Sequence, residues 1–123
     1  MIITIKNRSD LPIYEQIKEQ IREQILNGSV SEDEQLPSIR TLARDLKISV
    51  ITTTRAYNDL MDEGFIISVA GKGYFAAPRN NDLLHERLLY EMEQGFERAV
   101  GNGRNAGLTD DEILDAMKRY MEG

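Results

Sequence analysis

Apolar residues recur at helical spacing in five stretches of this chain of 123 residues. Ile13, Ile17, Ile21 and Ile25 fall every fourth position, which predicts a helix with one buried stripe. Pro12 suits its first turn, and Asn27-Gly28 ends it. Leu42, Ala43 and Leu46 share a face of a short helix behind Pro37-Ser38, where the serine is an N-cap. Lys47-Ile48 is a tight turn, and Ser49 caps a third helix running to about Glu63. Its apolar face is Thr53, Ala56, Tyr57, Leu60 and Met61. Gly64 ends it. Residues 65–69 and 74–77 are short β-prone runs joined by Ala70-Gly71-Lys72-Gly73. Ile2 to Ile5 is a further β-prone run, either a third strand for that hairpin or an ordered arm.

After Pro78, the polar run 79–81 reads as a linker. Asp82 is placed to cap a long helix in which Leu84, Leu88, Met92, Phe96 and Val100 repeat every fourth residue, with Gly101-Asn102-Gly103 as its break. Thr109-Asp110-Asp111-Glu112 is a capping box, with Leu108 and Ile113 as a hydrophobic staple. The last helix carries Ile113, Leu114, Met117, Tyr120 and Met121 on one face. The fold class is α+β and mostly helical: a winged helix-turn-helix domain over residues 1–78 and a two-helix appendage over 82–123. Two helices this small cannot cover their own apolar stripes, which marks them as an association surface. They either fold back on the winged domain or meet a second copy. Because helix-turn-helix proteins bind paired half-sites as dimers, we favour a dimer through Leu84, Leu88, Met92, Phe96, Val100, Ile113, Leu114, Met117 and Tyr120.

With residues 53, 56, 57 and 60 inward, Val50, Ile51, Thr54, Arg55 and Asn58 face out. Apolar residues at an exposed helix N-terminus either pack on the preceding turn or meet DNA. In the major groove they can touch thymine methyls, while hydroxyls reach base edges. Tyr14 lies beside the isoleucine stripe. Its ring packs and its hydroxyl meets either water or a DNA phosphate.

Leu36-Pro37-Ser38-Ile39-Arg40-Thr41-Leu42-Ala43, Ser49 with Thr52 and Ala56-Tyr57, and Gly71-Lys72-Gly73 follow one another in order, preceded by Pro12-Ile13-Tyr14-Glu15-Gln16-Ile17. Over residues 10–77 this closely resembles the DNA-binding domain of GntR-type bacterial transcription regulators. The chain departs from that pattern at Glu34-Gln35, where many members have glycine, and at Val50, where many have a polar or basic residue. The resemblance and the outward face of the third helix together give an expected DNA-contacting set: Ser38, Arg40, Ser49, Thr52, Tyr14, Gly71 and Lys72 lie in the matching motifs, and Val50, Ile51, Thr54 and Arg55 lie on that face. A tail of two short helices resembles the YtrA-like subfamily, which implies tail-mediated dimerisation and control of neighbouring transporter genes.

Charge sharpens the picture. The net charge of −6 argues against nucleic acid if taken over the whole chain. Yet residues 1–79 hold 10 basic and 11 acidic side chains, and residues 80–123 hold 5 and 10. Between Pro37 and Asn58, Arg40, Arg44, Lys47 and Arg55 face Asp45 alone. A small basic face is enough to position a domain on phosphates. There is no cysteine, which fits a cytoplasmic protein, and neither a signal-like run nor a membrane-length apolar segment.

His85 is the only histidine, and Gly71-Lys72-Gly73 lacks phosphate-loop spacing. No enzyme, metal or cofactor is therefore expected. The expected function is a sequence-specific DNA-binding regulator, a repressor acting as a homodimer on a two-fold related operator. Double-stranded DNA and a second copy are its partners, no membrane is involved, and the sequence does not specify an effector. The alternative is a winged helix that binds protein and does not read DNA. Arg40 and Lys72 separate the two, since a protein-docking module has no need of basic groups on both the first motif helix and the wing tip.

Overall fold

A computed structural model describes residues 1–123. Helices α1 (Ile13–Leu26), α2 (Ile39–Leu46) and α3 (Val50–Asp62) precede strands β1 (Ile66–Val69) and β2 (Gly73–Ala76). Helices α4 (Asp82–Asn105) and α5 (Asp110–Glu122) follow. The chain divides into two compact units, Met1–Arg87 and Leu88–Gly123.

In the first unit the isoleucine stripe does what its spacing predicts at three of its four positions, while Ile13 at the start of α1 is only half-buried. Ile17, Ile21 and Ile25 are buried where α1 packs on α3, against a face of α3 that buries Thr53, Ala56, Tyr57 and Leu60. Each fully buried isoleucine contributes about 2 kcal/mol of transfer free energy. Helices α2 and α3 start with the same device. Ser38 Oγ accepts from the Thr41 N–H, and Ser49 Oγ accepts from the Thr52 N–H. Lys47 closes α2 in the left-handed region, at φ 57°. This makes the turn tight enough for the Ile48 N–H to reach the Ala43 carbonyl at 3.0 Å.

Strands β1 and β2 pair antiparallel from Ile66↔Ala76 to Val69↔Gly73, leaving Ala70, Gly71 and Lys72 as the wing tip. The polar segment before Pro37 shows no role in the sequence, yet it supplies a third edge to the hairpin. Gln35 bridges Phe75, the Leu36 N–H donates to the Tyr74 carbonyl, and the Ala76 N–H donates to the Glu34 carbonyl.

Residues 2–5 form no strand. They are the ordered arm, and glutamine side chains of α1 replace the missing ladder. Gln20 exchanges hydrogen bonds with the Thr4 backbone at 2.9 and 2.8 Å, and Gln16 does the same with Lys6 at 2.8 and 2.9 Å. Gln24 Nε2 donates to the Ile2 carbonyl at 2.7 Å. Spacing of four along α1 matches spacing of two along an extended chain, because both repeats cover nearly the same length.

The expected linker at 79–81 is instead part of the first unit. The Arg79 guanidinium donates to the Ile25 and Leu26 carbonyls at the end of α1, and its N–H donates to Glu32. Asn81, not Asp82, caps α4, its Oδ1 accepting from the Leu84 N–H at 3.0 Å. Leu84, expected to face a partner, is 2 % exposed and has no surface left to offer one. It docks beside Gly64, whose φ is +86° and where an added Cβ would lie 2.5 Å from the Leu84 nitrogen. Glu63 pairs with Lys18 at 3.1 Å and with Arg87 at 2.9 Å. Burial pulls the Lys18 ammonium down, but the hydrogen bond and charge of Glu63, with Glu15 and Asp59, outweigh that and leave it raised.

In the second unit, α4 does not break at Gly101-Asn102-Gly103 but continues to Asn105, and Gly107 makes the turn at φ +84°. Gly103 is a contact point: a Cβ there would lie 2.8 Å from Ile113 Cγ1. The Thr109–Glu112 capping box forms as its sequence predicts. The hydrogen bond from the Thr109 backbone, followed by its side chain, holds the Glu112 carboxyl below its usual range.

Candidate nucleic-acid interface

The exposed side of α2, α3 and the wing carries the residues that the sequence singles out. Val50 is half-exposed, and Ile51 is 82 % exposed at the first turn of α3. That excludes packing of Ile51 on the preceding turn. Arg40, Arg44, Lys47, Arg55, Gly71 and Lys72 are all exposed. Arg44 lies 3.6 Å from Asp45, with both side chains well exposed, so that pair removes little of the local positive charge.

The hydroxyls are partly committed. Ser38 Oγ donates to Thr41 Oγ1 and Ser49 Oγ donates to Thr52 Oγ1, at 2.9 and 2.8 Å. Each serine is therefore spent on its cap, while the hydroxyl protons of Thr41 and Thr52 remain available to an outside acceptor. Thr54 Oγ1 donates to the Val50 carbonyl at 2.7 Å, which leaves its oxygen as an acceptor only.

Two positioning contacts escape the sequence reading. Gln35 Nε2 donates to the Lys72 carbonyl at 2.7 Å and supports the wing tip. The buried Tyr57 hydroxyl donates to the Pro37 carbonyl at 2.7 Å, tying α3 to the segment that opens α2. Its ring meets Tyr74 edge-on, with centroids 5.0 Å apart. Burial, then the neighbouring Tyr74, pushes the Tyr57 phenol up, so it stays a donor at any physiological pH. Tyr14 and Arg55, predicted separately, come together: the Arg55 guanidinium lies 3.7 Å from the centroid of the Tyr14 ring. The side chains on this face can accept or donate hydrogen bonds, attract phosphate and present methyl groups. No cluster of three or more potential metal ligands forms in the molecule.

A three-helix head with a capped, outward second motif helix, a hairpin wing and basic groups on both is a winged helix-turn-helix DNA-binding domain. Residues 13–75 match the family model for bacterial regulatory proteins of the gntR family, and the chain belongs to that family. It is 29% identical to the transcriptional repressor YtrA of Bacillus subtilis (strain 168) over 117 residues, covering 95% of this chain and 90% of the relative. YtrA from Sulfolobus acidocaldarius, a GntR-family transcription factor, superposes with a TM-score of 0.68 at 31% identity, covering 98% of this chain and 97% of that one. The AraR DNA-binding domain, solved in complex with operator ORX1, matches with a TM-score of 0.55 at 30% identity, over 63% of this chain and 96% of that one. The protein is a YtrA-like transcription regulator that binds double-stranded DNA, and it is not an enzyme. None of its helices is long and apolar enough to cross a membrane.

Proposed function

We propose that the protein is a homodimeric repressor that occupies a two-fold related operator and acts in the cytoplasm, where bacterial DNA lies. The observation that carries the DNA side is Ile51, 82 % exposed on the first turn of a capped helix. An isoleucine gains nothing from water there, and it neither donates nor accepts a hydrogen bond. A thymine methyl in the major groove is its natural partner. Val50 lies beside it. Ser49 and Ser38 set the caps, and Thr52, Thr54 and Arg55 line the same helix. Arg40 reads a guanine edge from α2, while Gly71 and Lys72 bring the wing to the backbone and Tyr14 supports from α1.

The dimer side rests on the second unit. Met92, Phe96, Leu114 and Tyr120 are exposed, with Leu88, Val100, Ile113 and Met117 half-buried among them. Two helices of this size leave an apolar face that a second copy covers. The reading of the protein as a repressor draws on its similarity to YtrA, which is named as one.

The test uses the full chain and a duplex selected by it from random sequence. Replacing single half-site thymines by uracil should cost roughly 1 kcal/mol at one position. No loss at any thymine would remove Val50 and Ile51 from base reading. Phe96→Arg with Leu114→Arg should convert a dimer to a monomer by light scattering.

A further inference from the structure

We propose that Tyr14 is a positioning residue for DNA binding: its ring face, and not its hydroxyl, holds Arg55 so that the guanidinium edge meets a backbone phosphate. The inference rests on the reading of α3 as the DNA-facing helix.

The Arg55 guanidinium carbon lies 3.7 Å from the Tyr14 ring centroid, which is stacking distance over the face of the ring. Arg55 is exposed, whereas Tyr14 is half-buried. The ring stands in the first turn of α1, three residues before Ile17, which is fully buried in the core. The platform therefore belongs to a fixed helix, while the cation on it reaches solvent.

Stacking settles what that cation can do. A guanidinium donates hydrogen bonds only in its own plane, through five N–H groups. A ring covering one face leaves those in-plane donors open. No carboxylate pairs with Arg55, unlike Arg44 beside Asp45 or Arg87 on Glu63. An unpaired planar fork held on an aromatic face matches the two oxygens that a phosphate offers. Holding it there also removes rotamer freedom that would otherwise be lost on binding DNA. The tyrosine hydroxyl takes no part in this arrangement.

The experiment measures affinity of the full chain for the selected duplex across a salt series, in Tyr14→Phe, Tyr14→Leu, Arg55→Ala and the double variant Tyr14→Leu/Arg55→Ala. Tyr14→Phe keeps the face and should bind within about twofold of wild type. Tyr14→Leu removes it and should weaken binding by roughly three- to thirty-fold, the span of a cation–π contact from exposed to desolvated settings. Arg55→Ala should lower the salt slope by about one unit, Tyr14→Leu should lower it by less, and the double variant should be no weaker than Arg55→Ala.

Equal losses in Tyr14→Phe and Tyr14→Leu would place the contact in the hydroxyl and overturn the proposal. So would a Tyr14→Leu loss that persists undiminished in the Arg55→Ala background, since that loss would be structural. Wild-type affinity and slope in Arg55→Ala would overturn it as well. In that case Lys72→Ala shows whether the head still meets phosphate, and enrichment of no duplex at all would instead defeat the operator reading itself.

Discussion

Lys72 shows at the residue scale how far a side chain's role depends on its support. It sits at the tip of a three-residue turn, exposed, with its carbonyl held by Gln35. The supported loop presents the ammonium as a point charge, suited to phosphate or the minor groove rather than to one base. Lys72→Ala should weaken binding to all duplexes alike and reduce the salt slope by about one unit, read from affinities at several salt concentrations. An unchanged slope would remove the phosphate contact. Gln35 was invisible as a partner because its significance depends on a bond across 37 residues of sequence. Tyr57 was legible as core from helical spacing, but the Pro37 carbonyl it holds was not.

At the element scale, α4 is where local rules and packing disagree. Glycine in a helix interior costs roughly 1 kcal/mol relative to alanine, so two glycines within three residues predict a break. The helix continues because Gly103 admits the Ile113 side chain at a distance no Cβ allows. Nothing lies within 4 Å of a Cβ added at Gly101. Gly101→Ala should therefore stabilise the tail by up to about 1 kcal/mol in chemical denaturation. Gly103→Ala should lose that gain by displacing Ile113. Helix α5 adds a pH dependence through its capping box. The Glu112 carboxyl is held below its ordinary value of 4.5, so its contribution is present above that pH and is lost as pH falls through the depressed value. Fraying of the first turn of α5, followed by amide NMR, should begin below about pH 4.5 in the wild type and change less with pH in Glu112→Gln, which keeps only Asp110 and Asp111 in that turn.

For the whole molecule, the boundary matters most. The polar run at 79–81 marked an end to the head, yet Arg79 caps the end of α1, Leu84 is buried and Arg87 pairs with Glu63. A chain ending at Arg87 should fold as the head alone and run as a monomer in light scattering, against a dimer for the full chain. A chain ending at Arg79 loses the burial of Leu84, worth about 2 kcal/mol, and one of the two cations on Glu63. It should melt measurably below the longer fragment. Equal melting temperatures would mean that the first turns of α4 contribute nothing to the head. A dimeric Arg87 fragment would move the proposed interface into the winged domain.

What the sequence determined by itself was local or periodic. The isoleucine stripe of α1, the serine caps of α2 and α3, the inward set of α3, the hairpin wing and the Thr109 capping box all formed as their spacing predicts. In each, the interacting groups lie within a few residues or on one face, so spacing alone carries the information. The outward face of α3 followed by subtraction. The tertiary structure alone decided four things: the glutamine-held arm, the third edge at Gln35, the stacking of Arg55 on Tyr14, and the burial of Leu84 beside Gly64. Each joins residues distant in the chain, and a side chain's partner across such a gap is set by where whole elements come to rest, which no local pattern encodes.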